Sequence, residues 1–208
     1  GISLTEVPGF DPDREYFGRD LEFPAKNINH ELPGFIDKLV GEPLPILNAS
    51  SISTEVLEEL RIGYNGRYLV FPYIQADGNC YAARCVHPER PEDFFWYGDE
   101  RFATDLFRLF NAPEIDHCEN GALFVVEGEQ NLLPLKQVGL PGIAVPTAGD
   151  LDHLDPRRLN WIKTIFLWVN HSVESEAMAR AFATRTGYKV RLIRWPEHTP
   201  RNSSIYQL

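Results

Sequence analysis

The sequence predicts an α/β protein with a Rossmann-like parallel sheet of about four strands, preceded by a smaller α+β subdomain. Three observations predict it. From about residue 121, short apolar runs alternate with helical patterns to the end of the chain, as in βαβ proteins with buried parallel strands. Upstream, two β-rich runs flank an Asp-Gly pair, a strong hairpin signal. Ahead of both, the first fifty residues are rich in Pro, Gly and Asn and show little periodicity. The chain divides on this basis into an irregular segment 1–51, a first subdomain 52–116, the α/β unit 117–198 and a tail 199–208.

The elements follow in order. "EVPGFDPDREYFGRDLEFP" reads as irregular chain that packs its aromatics onto something else. "INHELPGFIDKLVGEPLP" holds one short helix bounded by Pro33 and Gly41. "SISTEVLEELRIGY" is a helix capped by Ser53 or Thr54, with Val56, Leu57 and Leu60 on its apolar side. In "RYLVFPYIQADGNCYAARCVHP", strands over 67–74 and 79–86 enclose the turn Ala76-Asp77-Gly78-Asn79. "ATDLFRLFNAPEI" is a mixed, short segment. "ALFVVEGE" is the first strand of the second unit. "NLLPLKQVG" is helical, with Pro134 in its first turns and Gly139 as its end. "GIAVPT" is the second strand. "DPRRLNWI" starts a helix with Asp155 as cap and Pro156 at the first position. "TIFLWV" is the third strand. "SVESEAMARAFATRTG" is a helix capped by Ser172, with Glu174 and Glu176 in the first turn and an apolar face of Met178, Ala181 and Phe182. Gly187 ends it, and "KVRLIRW" is the fourth strand.

Composition narrows the function classes. Of the 208 residues 43% are hydrophobic and 12% aromatic, which predicts a packed core. No apolar run reaches the roughly 20 residues of a membrane span, no signal peptide is visible, and a cytoplasmic setting is expected. Gly1 in place of Met reads as a tag remnant on what could be one part of a longer protein. Cys80, Cys85 and Cys118 are odd in number and lack Cys-x-x-Cys spacing, so buried thiols are expected rather than disulfides or structural zinc. The net charge of −10 is unevenly spread. Residues 1–156 carry 11 Lys/Arg against 27 Asp/Glu, net −16; residues 157–208 carry 9 against 3, net +6. An acidic chain with a basic end can present one phosphate-binding face, although the same residues also suit ordinary solvated surface.

In a parallel sheet the strand C-termini line one edge, where ligands bind. The first strand delivers Glu127-Gly128-Glu129 to that edge, the second Pro146-Thr147 followed by Asp150, Asp152 and Asp155, and the third Asn170-His171-Ser172. Glu127 is either a metal ligand or general base, or a carboxylate facing water. Asp150 and Asp152 are either ligands or loop and cap acids, and His171 either a ligand or a turn residue.

The order of these segments resembles a TOPRIM domain, the nucleotidyl-transfer and strand-cleavage module of primases, topoisomerases and related nucleases. "ISTEVLEELRIGY", "LVFPYIQADGNCYAARCVHP" and "LFRLFNAPEI" are similar to successive segments of the primase RNA-polymerase domain. The likeness is to bacterial primases and phage-type primase-helicases, and covers roughly 52–197. It implies DNA replication or nucleic-acid processing, with single-stranded DNA or nucleotides as partners, and leaves open a helicase or zinc-binding domain in a longer chain. In that family a first-strand Glu and an Asp-x-Asp of the third strand hold Mg²⁺ or Mn²⁺. By position, Glu127 is retained as the catalytic and metal-binding residue, while the aspartates fall on Asn170 and Ser172. The acid four residues after the family Glu falls on Asn131. The later acidic segment is replaced by "HTPRNSSIY", where Asn202 alone matches. Each lost carboxylate removes a full negative charge beside a dication, so metal-dependent catalysis is expected to be weakened or lost. Arg84, Lys163, Arg191 and Arg194 are candidate phosphate contacts. Two other readings stay open: an active RNA primase using Glu127 with Asp150 and Asp152, and a non-catalytic scaffold that binds a protein partner.

Overall fold

The structure, a computed structural model, describes residues 26–41, 52–75, 77–99, 109–118, 121–187, 189–203 and 205. The irregular chain expected before residue 26 and over 42–50 lies outside these residues, as does most of "ATDLFRLF".

Two four-stranded sheets organise the chain. The first is antiparallel, in the order β1 (Gly63–Tyr64), β2 (Leu69–Ile74), β3 (Cys80–His87), β4 (Arg90–Gly98). Its hairpin forms where the Asp-Gly signal places it. Gly78 takes φ +78°, and the Asp77 carboxylate accepts from Asn79 N at 2.9 Å. Pro72, which cannot donate to a ladder, lies at a register shift of the β2–β3 pair. Helix α1 (Leu32–Gly41) packs on β1 so closely that a Cβ at Gly63 would stand 2.4 Å from the Phe35 Cβ. Helix α2 (Thr54–Glu59) is capped by Ser53, and Val56 and Leu60 are buried beneath it.

Strand β4 is absent from the sequence expectation. "RPEDFFWYG" is charged and opens with Pro-containing chain, and it shows no clean alternation because both its faces are largely exposed at the sheet edge. Edge strands tolerate such composition.

The second sheet is parallel, in the order β6 (Gly142–Val145), β5 (Ala122–Glu127), β7 (Thr164–Trp168), β8 (Val190–Leu192). Short α3 (Glu114–His117) precedes it, and Phe110 bridges antiparallel to Ala144 at its β6 edge. After β5 come a 3₁₀ turn (Glu129–Leu132) and α4 (Leu133–Gln137), with Pro134 in the first turn as the sequence suggests. Between β6 and β7 the expected helix is replaced by two 3₁₀ turns, Ala148–Asp152 and Pro156–Leu159; Asp155 caps the second. Helix α5 (Val173–Thr186) runs from its Ser172 cap to Gly187. Its inward face is Ser175, Ala179 and Phe182, with Met178 partly buried; Ala181 faces solvent, a half-turn from where the sequence placed it.

Both faces of the parallel sheet are covered. On one, Leu132, Leu133 and Leu135 pack with Val126, Ala144 and the Phe71, Tyr73 and Phe110 rings. On the other, Leu151, Leu159 and Phe182 cover Val125, Ile143 and Leu167. The three cysteines are buried and unbridged, and burial pushes the Cys80 and Cys85 thiols up to about 12. Among the described residues no helix is long and apolar enough to cross a membrane.

Candidate functional site

The sheet order reverses at β5. Its successor β6 lies on one side and β7 on the other, so the crevice between the β5 and β7 ends is the topological switch point where open α/β sheets bind ligands. A cleft of about 570 Å³ opens there. Glu127 ends β5 at its floor, 9% exposed. Gly128 then turns the chain at φ +83°, a conformation open to glycine at little cost, and its N–H donates to Val145 O at 2.7 Å.

That turn folds Asn131 back under the strand end. The Asn131 amide nitrogen donates to Glu127 O at 2.5 Å and to Asn170 Oδ1 at 2.9 Å. The Asn170 backbone N–H donates to Glu127 Oε2 at 2.9 Å. Ser172 Oγ accepts from Ser175 N at 3.0 Å, which caps α5. Two aspartates at positions 131 and 170 would repel one another without a cation between them. Two asparagines donate and accept across the same gap, so the strand ends are satisfied without one.

A second acid stands behind the first. Glu129 is 2% exposed; it accepts from the Tyr73 hydroxyl at 2.7 Å and from Arg84 Nη1 at 2.6 Å. Burial, reinforced by the Glu129 charge and hydrogen bond, holds the Tyr73 phenol well above its ordinary value. Arg84 is buried too, its guanidinium lying 4.2 Å from the Phe94 ring centre. Its Nε is buried with no hydrogen-bond partner. The pairing of a hairpin arginine with Glu129 had no sequence signal beyond two acids flanking Gly128. Phe94 was missed with its strand.

The other expected residues are dispersed. Asp150 is buried in a capping box, accepting from Thr147 N at 2.9 Å and Thr147 Oγ1 at 2.7 Å. Asp152 pairs with Arg185 at 2.9 Å. Neither lines the cleft, which weighs against their acting as metal ligands beside Glu127. Lys163 precedes β7, at the opposite end of the sheet from the cleft. Arg191 and Arg194 lie on and after β8, where they line a separate groove of about 680 Å³. His171 stacks on Trp195 and its Nδ1 is 3.0 Å from Glu176 Oε1, in that groove rather than the cleft.

Hard dications take charged oxygens. The Glu127 carboxylate accepts from the Asn170 backbone, Glu129 is held by Arg84 and Tyr73, and Glu92 and Glu174 line the cleft without forming a metal-holding cluster with them. Among the described residues no group of three or more His, Cys, Asp or Glu is placed to hold a metal ion. The residues present do not fit a pair of Mg²⁺ or Mn²⁺ ions.

No family model matches the chain, and no curated protein matches it. Solved structures do. The primase fragment of the bacteriophage T7 primase-helicase protein aligns at 21% identity and TM-score 0.57, over 72% of this chain and 64% of that one. The E. coli primase catalytic core aligns at 14% and 0.62, over 83% and 72%. A DnaG primase catalytic domain bound to single-stranded DNA aligns at 14% and 0.58, over 86% and 74%. The fold is that of a primase-type TOPRIM domain with its antiparallel subdomain. The chain spans less than two thirds of the T7 fragment.

Proposed function

We propose that this is a primase-like TOPRIM protein of DNA replication or nucleic-acid processing, which binds single-stranded nucleic acid or nucleotides and in which metal-dependent catalysis is weakened or lost. The observation that carries the reading is the β5–β7 switch point, where Glu127 stands beside an Asn131–Asn170 amide pair instead of further carboxylates. Two-metal phosphoryl transfer needs ions that clamp both attacking and leaving oxygens, and Glu127 in its amide setting does not assemble them. Binding is supported by the fold shared with a primase domain solved on single-stranded DNA and by the basic C-terminal part of the chain.

The test has two arms. A labelled single-stranded DNA is titrated at low and moderate salt, and binding that weakens as salt rises is expected. Template, ribonucleotides and Mg²⁺ or Mn²⁺ are then supplied, and no oligoribonucleotide should form. Primer synthesis would overturn the loss of catalysis, and absence of DNA binding would overturn the nucleic-acid reading.

A further inference from the structure

We infer that the groove between β8 and α5 is a binding track for the phosphate backbone of a single strand, separate from the strand-end cleft. This rests on the nucleic-acid reading above and specifies where the strand lies. Arg180, Arg191, Arg194 and Arg201 line the groove, and Glu176 is the one carboxylate among its lining residues. That single acid accepts from Arg180 at 3.3 Å and Arg201 at 2.8 Å. Among the described lining residues four arginines stand against one carboxylate, net +3 with histidine neutral. The guanidinium fork matches two phosphate oxygens at once, which a point charge does not.

The groove also carries apolar surface. Leu192 is 40% exposed at its edge, and Trp195 is partly buried, stacked on His171 with ring centres 5.5 Å apart. A basic trough with apolar and ring surface suits a strand whose backbone and bases are both accessible. β8 is the outer strand among the described residues, and the trough runs along its free side.

Cleft and groove share no lining residue, yet they alternate along the chain. Asn170 and Ser172 face the cleft and His171 between them faces the groove; Arg201 lines the groove and Asn202 the cleft. The β7–α5 turn is therefore the wall between them.

The test compares the intact chain with Arg191→Gln/Arg194→Gln, both exposed positions, and with Arg157→Gln, an exposed arginine ahead of β7 that loses the same kind of charge. Single-stranded DNA affinity is measured from low to moderate salt. The double variant should bind about tenfold more weakly or worse at low salt, with the log–log salt slope shallower by about 1.4, or 0.7 per lost phosphate contact. Arg157→Gln should bind as the parent does. Parental binding by the double variant would overturn the groove and leave nucleic-acid binding elsewhere. Displacement of the DNA by polyglutamate at equal charge concentration would also overturn it, marking a surface for acidic protein. A parent chain that binds no DNA removes the underlying reading itself.

Discussion

The cleft and the groove are built on opposite sides of one turn and carry opposite charge. Among the described residues Glu92, Glu127, Glu129 and Glu174 line the cleft with Arg84, whereas four arginines line the groove with Glu176. A unit charge 4 Å from another is worth about 1 kcal/mol in water and about 4 kcal/mol at the effective dielectric of a protein surface. A phosphate without a cation is thus repelled from the first and drawn to the second. The cleft's one guanidinium does not change this, because Glu129 neutralises it inside the wall. The difference teaches that one turn can separate a strand-end cleft closed by hydrogen-bonded side chains from a groove lined by arginines.

The largest expected effect separates the two regions by burial. Glu129→Ala leaves the Arg84 guanidinium buried without its carboxylate, and removing one partner of a buried pair costs about 3–5 kcal/mol. Arg180→Ala in the groove breaks a pair whose arginine is 63% exposed, a loss of about 0–1 kcal/mol. Urea unfolding of both variants checks the contrast. Equal losses would mean that the Arg84–Glu129 pair is solvated and does not set the cleft's charge.

Much of this architecture was legible because it depends on local signals. The four apolar strand runs of the parallel sheet, the Asp77-Gly78 turn and the Ser172 cap each act within a few residues, and each forms where its signal lies. Glu127 and the positions of Asn170 and Ser172 were legible for the same reason, since a strand end and a cap fix them. What was not legible is pairing across distance. Glu129 meets Arg84 forty-five positions earlier in the chain, and Asn131 meets Asn170 thirty-nine positions later. Nothing in either neighbourhood names its partner. Strand β4 was hidden because an exposed edge leaves no alternation to read.

The next effect adds carboxylates to the cleft. Asn131→Asp/Asn170→Asp replaces the amide pair with two carboxylates beside Glu127. Without metal this variant should be less stable by about 1–3 kcal/mol, the cost of lost hydrogen bonds and new repulsion at a buried site. With Mn²⁺ at 100 times its dissociation constant it should recover about 2.7 kcal/mol, and the parent should recover none. Thermal unfolding with and without Mn²⁺ reads both. An equal Mn²⁺ shift in the parent would show that Glu127 and the amides already suffice. Smaller again is Ser172→Ala, which removes the α5 cap between the two regions; about 1 kcal/mol of stability should go, with DNA affinity unchanged.

The smallest effect lies in the groove's one acid. Burial alone would raise the Glu176 pKa, but hydrogen bonds and charge from His171 and Arg201 outweigh it and hold the carboxyl below its ordinary value of 4.5. A carboxyl depressed in the folded state adds stability that is present above its unfolded value and lost as pH falls through the folded one. Glu176→Gln should therefore lower stability at neutral pH by about 0.5 kcal/mol or less, given how exposed Arg180 and Arg201 are, and the difference from the parent should vanish well below pH 4.5. The same substitution removes the carboxylate that pairs with Arg180 and Arg201. DNA affinity should then rise at neutral pH while stability falls, a divergence that no variant of the cleft should show. If affinity falls with stability, Glu176 is holding Arg180 and Arg201 in their binding positions, and its geometric role outweighs its charge.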